Sequence, residues 1–402
     1  MKILLSAYAC EPNKGSEPGV GWNWAMELAK LDHEVWVLTR KNNQPAIEAE
    51  FQKRKQPDNL HFIYYDCQHW IKRFKRGRQG IHFYYLLWQW GAYKKAKKIH
   101  VAHHFDLVHH VTFVTVRQPS FMGNLGIPFI FGPVGGGEKA PWRLRFHYGF
   151  RGFWLDALRD LANFIVRIDP LMWHTFAKAK KIYVTSEQSK QIVPSCYHRK
   201  TTIQMAIGIE QILENKKLET KRHDHDFRVL YVGQFLYWKG MGVGLRAFAK
   251  LVEQVPDARL TMVGRGPEEK RWKELTIKLK IADKVEWIPW VAQSELSQIF
   301  QQHDVLLFPS LHDSGGLVVL ESMAHGLPVV CLDLGGPGEI VDENCGGIAQ
   351  TKGVTFETLT NQISQLLIRL TKDPSLRQIL RQKAVKHASK HRWGHIVRYV
   401  YG

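Results

Sequence analysis

The chain has 402 residues, of which 45% are hydrophobic and 23% charged, a balance that suits a globular protein with room for two or three domains. No apolar run approaches the roughly 20 residues that a membrane-spanning helix needs, and the five cysteines form no Cys-x-x-Cys pair. The composition therefore argues against a membrane-spanning protein and a disulfide framework, and we expect a cytoplasmic protein with reduced thiols.

The net charge of +19 is unevenly distributed along the chain. Residues 1–207 contain 30 Lys and Arg against 15 Asp and Glu, whereas residues 208–402 contain 26 against 22. A basic surface attracts anionic partners at long range. We therefore expect any such partner to meet the N-terminal half.

The first predicted strand is the apolar run Lys2–Ala7, and a glycine-rich string, Gly15-Ser-Glu-Pro-Gly19-Val-Gly21, precedes the first predicted helix. A glycine turn at this place is the usual phosphate-binding corner of a doubly wound sheet. The spacing differs from Gly-x-Gly-x-x-Gly, which argues against a dinucleotide site. The alternative is that the glycines only permit a tight turn.

The interval between Asp66 and Asp106 contains no acidic residue. It interleaves basic residues with aromatic ones, a combination that suits an anionic membrane surface or nucleic acid. The alternative is that the aromatic residues at 83–93 belong to the core and only the lysines are solvated. A second aromatic and basic insertion occupies residues 139–181. It includes Trp142, Arg143, Arg145, Phe146, Phe150, Arg151, Phe153 and Trp154.

Residues 105–111, Phe-Asp-Leu-Val-His-His-Val, predict a strand that ends in two histidines. Neighbouring side chains of a strand point to opposite faces, so at most one of His109 and His110 can face a ligand. Because the chain contains 20 histidines, the alternative is that the pair is structural.

Near residue 207 the pattern changes, and the polar run at 211–226 predicts a linker. The linker contains Asp224-His-Asp226, which matches the Asp-x-Asp motif of metal-dependent transferases. Three letters in a charged linker are weak evidence for a metal site. Strands alternate with helices before and after the linker, so the predicted fold class is α/β with two Rossmann-like, doubly wound halves.

The most specific pattern of the chain lies in the second half. An apolar run at 304–308 predicts a buried strand, Gly315 and Gly316 predict a turn, and a helix follows. The N-terminus of such a helix presents unpaired N–H groups and the positive end of the helix dipole, and both attract phosphate. Two carboxylates bracket this turn, Asp313 and Glu321, with seven residues between them.

An acid, seven residues and a Glu around a glycine turn resemble the signature of the retaining glycosyltransferases of family 4. These enzymes have the GT-B fold, in which two Rossmann-like, doubly wound domains face a central cleft. The family usually has Glu where this chain has Asp313, and Arg where this chain has Gln234 ahead of Lys239-Gly240. The glycine string at 15–21 is similar to that of a subgroup of the family, and His109 matches a family histidine beside the donor sugar.

The resemblance implies roles for individual residues. In the family, the first acid lies against the donor sugar, the lysine and the glycine amides hold the diphosphate, and the second Glu binds the ribose. The implied catalytic residues are Asp313, His109, His110 and Lys239. The implied donor-binding residues are Gly15, Gly19, Gln234, Lys239, Gly240, Pro289, Trp290, Ser314, Gly315, Gly316, Leu317 and Glu321.

The resemblance and the linker together predict three parts of the chain. Residues 1–207 form an acceptor-side domain that carries the two insertions, 67–105 and 139–181. Residues 208–385 form the nucleotide-sugar-binding domain, and residues 386–402 form a final helix that returns to the first domain.

The predicted activity is the retaining transfer of a sugar from a nucleoside diphosphate sugar to a hydroxyl of a glycan or a lipid-linked acceptor. A lysine and a helix N-terminus can stabilise the departing diphosphate, so no metal or other cofactor is expected. The basic N-terminal half predicts peripheral attachment to an anionic membrane, at its inner face. The alternatives are a nucleotide-sugar epimerase or a phosphorylase of the same fold, or a basic nucleic-acid-binding protein. No nucleic-acid-reading motif accompanies the charge, so no nucleic acid partner is expected.

Overall fold

The computed structural model describes most of the chain. The basic residues at 72–78 and the motif residues Asp224 and His225 lie outside the described residues. No helix within the described part is both long and apolar enough to cross a membrane. The described residues are 1–68, 80–210, 212 and 226–402, without the side chains of Gln293 and Ser294.

The chain folds into two compact units. The first contains residues 1–137, 161–208 and 393–402, and the second contains residues 138–160 and 209–392. This division differs from the predicted one at 138–160, which the sequence assigned to the first domain, and at 386–392, which belong to the second unit and not to the returning segment. The physical reason is burial, because Ala140, Leu144 and Tyr148 lie in the hydrophobic core of the second unit.

The first unit is built on a seven-stranded sheet in which all neighbouring strands are parallel. The strand order is β3-β2-β1-β4-β5-β6-β7, and its first six members follow the order of a doubly wound nucleotide-binding sheet. The strands are β1 (Lys2–Ala7), β2 (Glu34–Arg40), β3 (Leu60–Tyr65), β4 (Leu107–Thr112), β5 (Phe129–Val134), β6 (Lys181–Val184) and β7 (Thr201–Ile203).

The second unit repeats this arrangement with a six-stranded parallel sheet in the order β10-β9-β8-β11-β12-β13. Strands β4 and β11 therefore hold equivalent positions, each beside the first strand of its unit. The strands are β8 (Arg228–Val232), β9 (Arg259–Val263), β10 (Val285–Ile288), β11 (Val305–Phe308), β12 (Val329–Leu332) and β13 (Gly346–Ala349).

Helices form most of the connections between parallel strands, as is usual for parallel pairing, whereas β4 and β5 are joined by a loop with one 3-10 turn at Met122–Leu125. The last helix packs against the first one, within the first unit. The helices are α1 (Ser16–Lys30), α2 (Gln44–Lys53), α3 (Ile81–His103), α4 (Trp142–Arg145), α5 (Phe150–Val166), α6 (Pro170–Lys178), α7 (Glu187–Lys190), α8 (Met241–Gln254), α9 (Glu269–Lys278), α10 (Gln293–Gln301), α11 (Leu317–Ala324), α12 (Gly335–Ile340), α13 (Phe356–Lys372), α14 (Pro374–Ser389) and α15 (Trp393–Tyr401).

Helix α3 contains most of the described part of the acid-free interval. Its residues Tyr84, Tyr85 and Trp88 are buried in the core of the first unit. Its lysines between 94 and 98 are exposed. The alternative of core aromatics with solvated lysines therefore holds for these three side chains, whereas Phe83 and Trp90 are exposed.

Candidate active site

The candidate site is the loop that joins β11 to α11. Strand β11 is buried along its whole length and ends at Phe308. The loop reaches α11 through Gly316, which caps the helix with a φ of 71°. This left-handed backbone is accessible to glycine without strain, so the sequence Gly315-Gly316 fixes the sharp entry into the helix that the motif predicted.

Three donors converge on the carboxylate of Asp313. One of its oxygens lies 2.5 Å from the Nζ of Lys239. The other accepts hydrogen bonds from the N–H groups of Gly315 and Gly316, at 3.3 and 3.1 Å. A lysine ammonium and two amides at a helix N-terminus form an anion-binding arrangement. The structure thus brings together Lys239, Asp313, Gly315 and Gly316, all within the second unit.

The position of Lys239 depends on the glycine that follows it. Gly240 has a φ of 71°, and a Cβ atom there would lie 1.9 Å from the carbonyl oxygen of Pro309. Only glycine therefore allows the backbone after β8 to approach the loop after β11 this closely. The side chains of Lys239 and Asp313 are 15% and 19% exposed, so the pair is accessible to a ligand from solvent.

The other predicted donor-binding residues of the second unit differ in their exposure to solvent. Glu321 is half-buried in the second turn of α11, and Ser314 and Leu317 are also half-buried. Gln234, which follows β8, is exposed, and its backbone carbonyl accepts a hydrogen bond from the hydroxyl of Tyr231 at 3.0 Å. Pro289 and Trp290 are exposed after β10.

His109 and His110 belong to the first unit, in β4, and both are buried. The Nε2 of His109 lies 2.5 Å from the carbonyl oxygen of Gly132, and its Nδ1 lies 2.7 Å from the hydroxyl of Tyr401. Because a carbonyl only accepts, Nε2–H donates and Nδ1 accepts from Tyr401. Burial lowers the pKa of His109 to about 3, and that of His110 to about 3 as well. Both ring nitrogens of His109 are thus engaged inside the first unit.

The glycine string at 15–21 also lies in the first unit. The prediction of a glycine turn before the first helix is wrong, because α1 begins at Ser16 and includes Gly19 and Gly21; Gly15 is its N-terminal cap residue. A Cβ atom at Gly19 would lie 2.1 Å from the carbonyl oxygen of Lys14, so this glycine is required by a close backbone approach. Between them, the carboxylate of Glu17 accepts a hydrogen bond from the N–H of Val114, and burial raises its pKa.

The sequence analysis missed a buried polar network behind the candidate site. His312, the residue before Asp313, donates from Nε2 to Asp156 at 3.0 Å and accepts at Nδ1 from Arg159 at 3.1 Å. Burial lowers the pKa of His312. Asp156 also accepts a hydrogen bond from the hydroxyl of Tyr237 at 3.2 Å. The network holds the loop after β11 against α5, and the adjacency of His312 to the motif was its only sequence signal.

A separate group of side chains has the spacing of metal ligands. The ligand atoms of Asp342, Cys345 and His387 lie within 4.8 Å of one another. None of the predicted site residues belongs to this group.

A comparison with known families supports the predicted enzyme class. Residues 205–387 match the family model described as Glycosyl transferases group 1. The match covers most of the second unit and somewhat less than half of the chain, and it includes Lys239, Asp313 and Glu321. It supports a glycosyltransferase, the class that the motif resemblance predicted.

Curated relatives point to the same class. A D-inositol 3-phosphate glycosyltransferase of Corynebacterium diphtheriae is 32% identical over 176 residues, which cover 42% of this chain and 40% of the relative. An uncharacterized glycosyltransferase of Methanocaldococcus jannaschii is 33% identical over 125 residues, 31% of this chain and 32% of the relative. The chain thus spans less than half the length of the curated relatives that it matches.

Solved structures match along nearly the whole chain. Sucrose-phosphate synthase from Thermosynechococcus elongatus has a TM-score of 0.62 at 18% identity, covering 100% of this chain and 97% of its own. Anabaena HepE in complex with UDP has a TM-score of 0.64 at 15% identity, covering 100% and 98%. WaaG, a glycosyltransferase involved in lipopolysaccharide biosynthesis, has a TM-score of 0.59 at 17% identity, covering 99% and 98%. This likeness concerns the fold, and it confirms the predicted GT-B architecture of two Rossmann-like domains.

Proposed function

We propose that this protein is a retaining glycosyltransferase that transfers a sugar from a nucleoside diphosphate sugar to a hydroxyl group of a glycan or a lipid-linked acceptor. The observation that carries the proposal is the convergence of Lys239 and the amides of Gly315 and Gly316 on one anionic group. The match of residues 205–387 to glycosyl transferases group 1 supports it.

The difficult step of this reaction is the departure of the nucleoside diphosphate. The bond between the anomeric carbon and the diphosphate breaks, a bond to the acceptor oxygen forms, and the hydroxyl proton passes to the departing diphosphate. Negative charge grows on the diphosphate as the bond breaks. A lysine ammonium and preorganised amides directed at it therefore stabilise the transition state more than the ground state.

Lys239 and the N-terminus of α11 supply positive charge where a divalent cation could otherwise act. We therefore propose that the transfer needs no metal. The test is turnover after exhaustive treatment with a chelator, which we expect to equal turnover in the presence of magnesium. A loss of activity that magnesium or manganese restores would contradict this part of the proposal.

The carboxylate of Asp313 accepts hydrogen bonds from the same three donors that we propose for the diphosphate. A diphosphate bound by Lys239, Gly315 and Gly316 displaces the carboxylate, which then turns toward the donor sugar, where family 4 enzymes have their first acid. The shorter side chain of Asp, compared with Glu, keeps the carboxylate close to its own loop. We propose that this exchange couples diphosphate binding to the placement of the acid.

The remaining donor contacts follow the family resemblance. Glu321 would accept hydrogen bonds from the ribose hydroxyls, and the exposed segment Pro289-Trp290 would line the base pocket. The complexes of Anabaena HepE contain UDP in one structure and UDP-glucose in another. We therefore take UDP as the first candidate for the nucleotide of this chain.

Two observations support the proposed class of acceptor, the role of a structurally similar enzyme and the charge of this chain. WaaG takes part in lipopolysaccharide biosynthesis, and the basic half of this chain favours an anionic surface. We propose an acceptor that is a glycan or is carried by a lipid, with the protein attached peripherally to an anionic membrane at its inner face.

A thermal-shift screen tests the donor site. UDP, GDP, ADP and their sugars are added to the full-length chain, and we expect one nucleoside diphosphate to raise the melting temperature. The variant Glu321→Gln should weaken the binding of that nucleotide, because a ribose contact is made in the ground state as well as in the transition state. The variant Glu343→Gln, which changes an exposed carboxylate, is the matched control. If no nucleoside diphosphate binds, the proposal fails.

A further inference from the structure

The segment 142–154 of the second unit exposes aromatic side chains on one side. Trp142, Phe146, Phe150 and Trp154 follow one another at intervals of four residues and are 61%, 63%, 83% and 52% exposed. Isolated exposed apolar side chains are ordinary, whereas contiguous apolar surface marks an interaction site. We call Trp142, Phe146, Phe150, Phe153 and Trp154 the aromatic face.

Ring contacts show that the aromatic face is contiguous. The ring centroids of Trp142 and Phe146 are 5.6 Å apart, and those of Phe146 and Phe153 are 5.5 Å apart. Trp154 lies 6.2 Å from Phe153 and 6.1 Å from Phe150. The exposed apolar series continues along α5 with Leu155 and Leu158.

The opposite side of the same segment is firmly anchored, so the exposure does not result from a loose insertion. Leu144 and Tyr148 are buried in the core of the second unit. The guanidinium of Arg145 lies 2.6 Å from a carboxylate oxygen of Asp160. Asp156 is buried and hydrogen-bonded to His312. The segment therefore has a structural inner side and an unpartnered outer side.

The charges of residues 138–160 are divided between these two sides. The carboxylates of Glu138 and Asp156 are buried, and that of Asp160 pairs with Arg145. The cations Arg143 and Arg151 are exposed, and Lys139 is exposed but pairs with Asp160 at 3.7 Å. No carboxylate of this fully described segment is exposed. The outer side therefore offers aromatic rings among positive charges.

We propose that the aromatic face docks on an anionic lipid bilayer. Aromatic rings partition into the headgroup region, and exposed Lys and Arg are attracted to anionic headgroups. This docking rests on the proposed function, because the lipid-linked acceptor is part of that function. The network from Asp156 and Arg159 to His312 attaches the inner side of the docking segment to the loop that carries Asp313. Docking would therefore hold the candidate active site close to the bilayer that carries such an acceptor.

The surface differs from the one that the sequence analysis favoured. The acid-free interval buries Tyr84, Tyr85 and Trp88 in the core, so these rings are not available to lipids. The aromatic face exposes four of its five rings, and Phe153 is half-buried. The proposed docking surface therefore lies on the second unit, whereas the sequence alone favoured the basic N-terminal half.

Co-sedimentation with vesicles tests the inference. Full-length protein is mixed with vesicles of phosphatidylcholine alone or with one third phosphatidylglycerol, at two salt concentrations. The double variant Phe150→Ser/Trp154→Ser should reduce binding to anionic vesicles at least tenfold. Ile277→Ser, which changes an exposed apolar side chain of α9, is the matched control and should bind like the unmodified chain. Arg143→Gln/Arg151→Gln should weaken binding and reduce its dependence on salt.

Two results would overturn the inference. The first is equal vesicle binding by the unmodified chain and the double serine variant. The second is a concentration-dependent dimer in sedimentation velocity that the double variant abolishes, without vesicle binding by either protein, which would assign the face to self-association. The nucleotide-induced thermal shift is measured on the same proteins. If the nucleotide raises the melting temperature while vesicle binding is absent, the docking proposal is wrong and the proposed function stands. If vesicle binding occurs without any nucleotide-induced shift, the proposed function is wrong and the docking proposal stands.

Discussion

Strands β4 and β11 occupy equivalent positions in their sheets, but the polar residues associated with them differ in exposure and in hydrogen bonding. His109 lies inside β4, paired in register with Leu5 of β1, and both of its ring nitrogens are hydrogen-bonded within the unit. Asp313 lies five residues beyond the end of β11, in a loop. Its carboxylate accepts hydrogen bonds from a partly exposed lysine and two backbone amides.

Ligand-binding polar groups of a doubly wound sheet lie beyond the ends of its strands rather than within them. A side chain within a central strand is surrounded by neighbouring strands and helices, so its polar atoms must be satisfied by the protein. A side chain in the loop after the strand lies at the carboxyl edge, where ligands of such sheets bind. We therefore propose that Lys239 and Asp313 carry the chemistry of the second unit, and the bonds of both ring nitrogens favour a structural role for His109 over the predicted catalytic one.

The largest expected effect is that of Lys239→Ala. Removing one preorganised donor to a developing oxyanion lowers turnover by roughly 10²- to 10³-fold, and Lys239→Arg should retain part of the activity because the charge is kept. Sugar transfer is measured as released nucleoside diphosphate. Lys250→Ala, in which a half-buried lysine of α8 loses its contact with Asn361, is the control. Full activity of Lys239→Ala would show that the ion pair of Lys239 and Asp313 has no catalytic role.

Asp313→Asn should separate binding from turnover. The variant removes a negative charge that competes with the diphosphate for Lys239 and the two amides, so nucleotide affinity should hold or increase. Turnover should fall by about 100-fold, because a contact with the reacting sugar acts mainly in the transition state. Calorimetry of nucleotide binding and steady-state kinetics measure the two effects. Weaker nucleotide binding together with unchanged turnover would contradict the exchange of carboxylate for diphosphate.

Gln234→Arg should strengthen the second unit's anion site. A charge-assisted hydrogen bond contributes roughly 1.5–3 kcal/mol, and because Gln234 is exposed we expect the lower end, about tenfold in nucleotide affinity. Gln254→Arg adds the same charge at the exposed end of α8 and should change affinity little. If both variants bind equally well, general charge is responsible, and the loop after β8 is not laid out as in the family.

The sequence predicted the parts of this comparison that depend on local pattern. Alternating strands and helices indicated two doubly wound sheets, and the family resemblance indicated that Lys239, Asp313 and the glycine turn belong to one site, where the structure brings them into contact. It could not predict that His109 is satisfied by Tyr401, because the two residues are 292 positions apart and meet only in the folded unit. The bond between His312 and Asp156 spans 156 positions for the same reason. The assignment of 138–160 to the second unit depends on burial of Leu144 and Tyr148, which the pattern of aromatic and basic residues concealed.

The smallest expected effect is that of Tyr401→Phe, which tests the structural role of His109 directly. The substitution removes the hydroxyl that donates to Nδ1 of His109 and leaves a buried acceptor unsatisfied, which costs about 1–3 kcal/mol of unfolding free energy. Nucleotide affinity should not change. Tyr399→Phe, on the exposed side of the same helix, is the control. A loss of nucleotide binding without a loss of stability would assign His109 to the site after all.

The pH dependence of stability provides an independent check on the same histidine. Burial lowers the pKa of His109 to about 3 in the folded chain, while an unfolded histidine titrates near 6.5. Between these values the unfolded state binds more protons, so this contribution to stability is present above pH 6.5 and is lost as the pH falls toward 3. The slope is about 1.4 kcal/mol per pH unit for each such histidine, and urea denaturation between pH 7 and pH 4.5 measures it. In a variant His109→Gln that still folds, the slope of the unfolding free energy against pH should be smaller by the contribution of one histidine, about 1.4 kcal/mol per pH unit. An unchanged slope would mean that the His109 ring already takes up its proton in the folded unit.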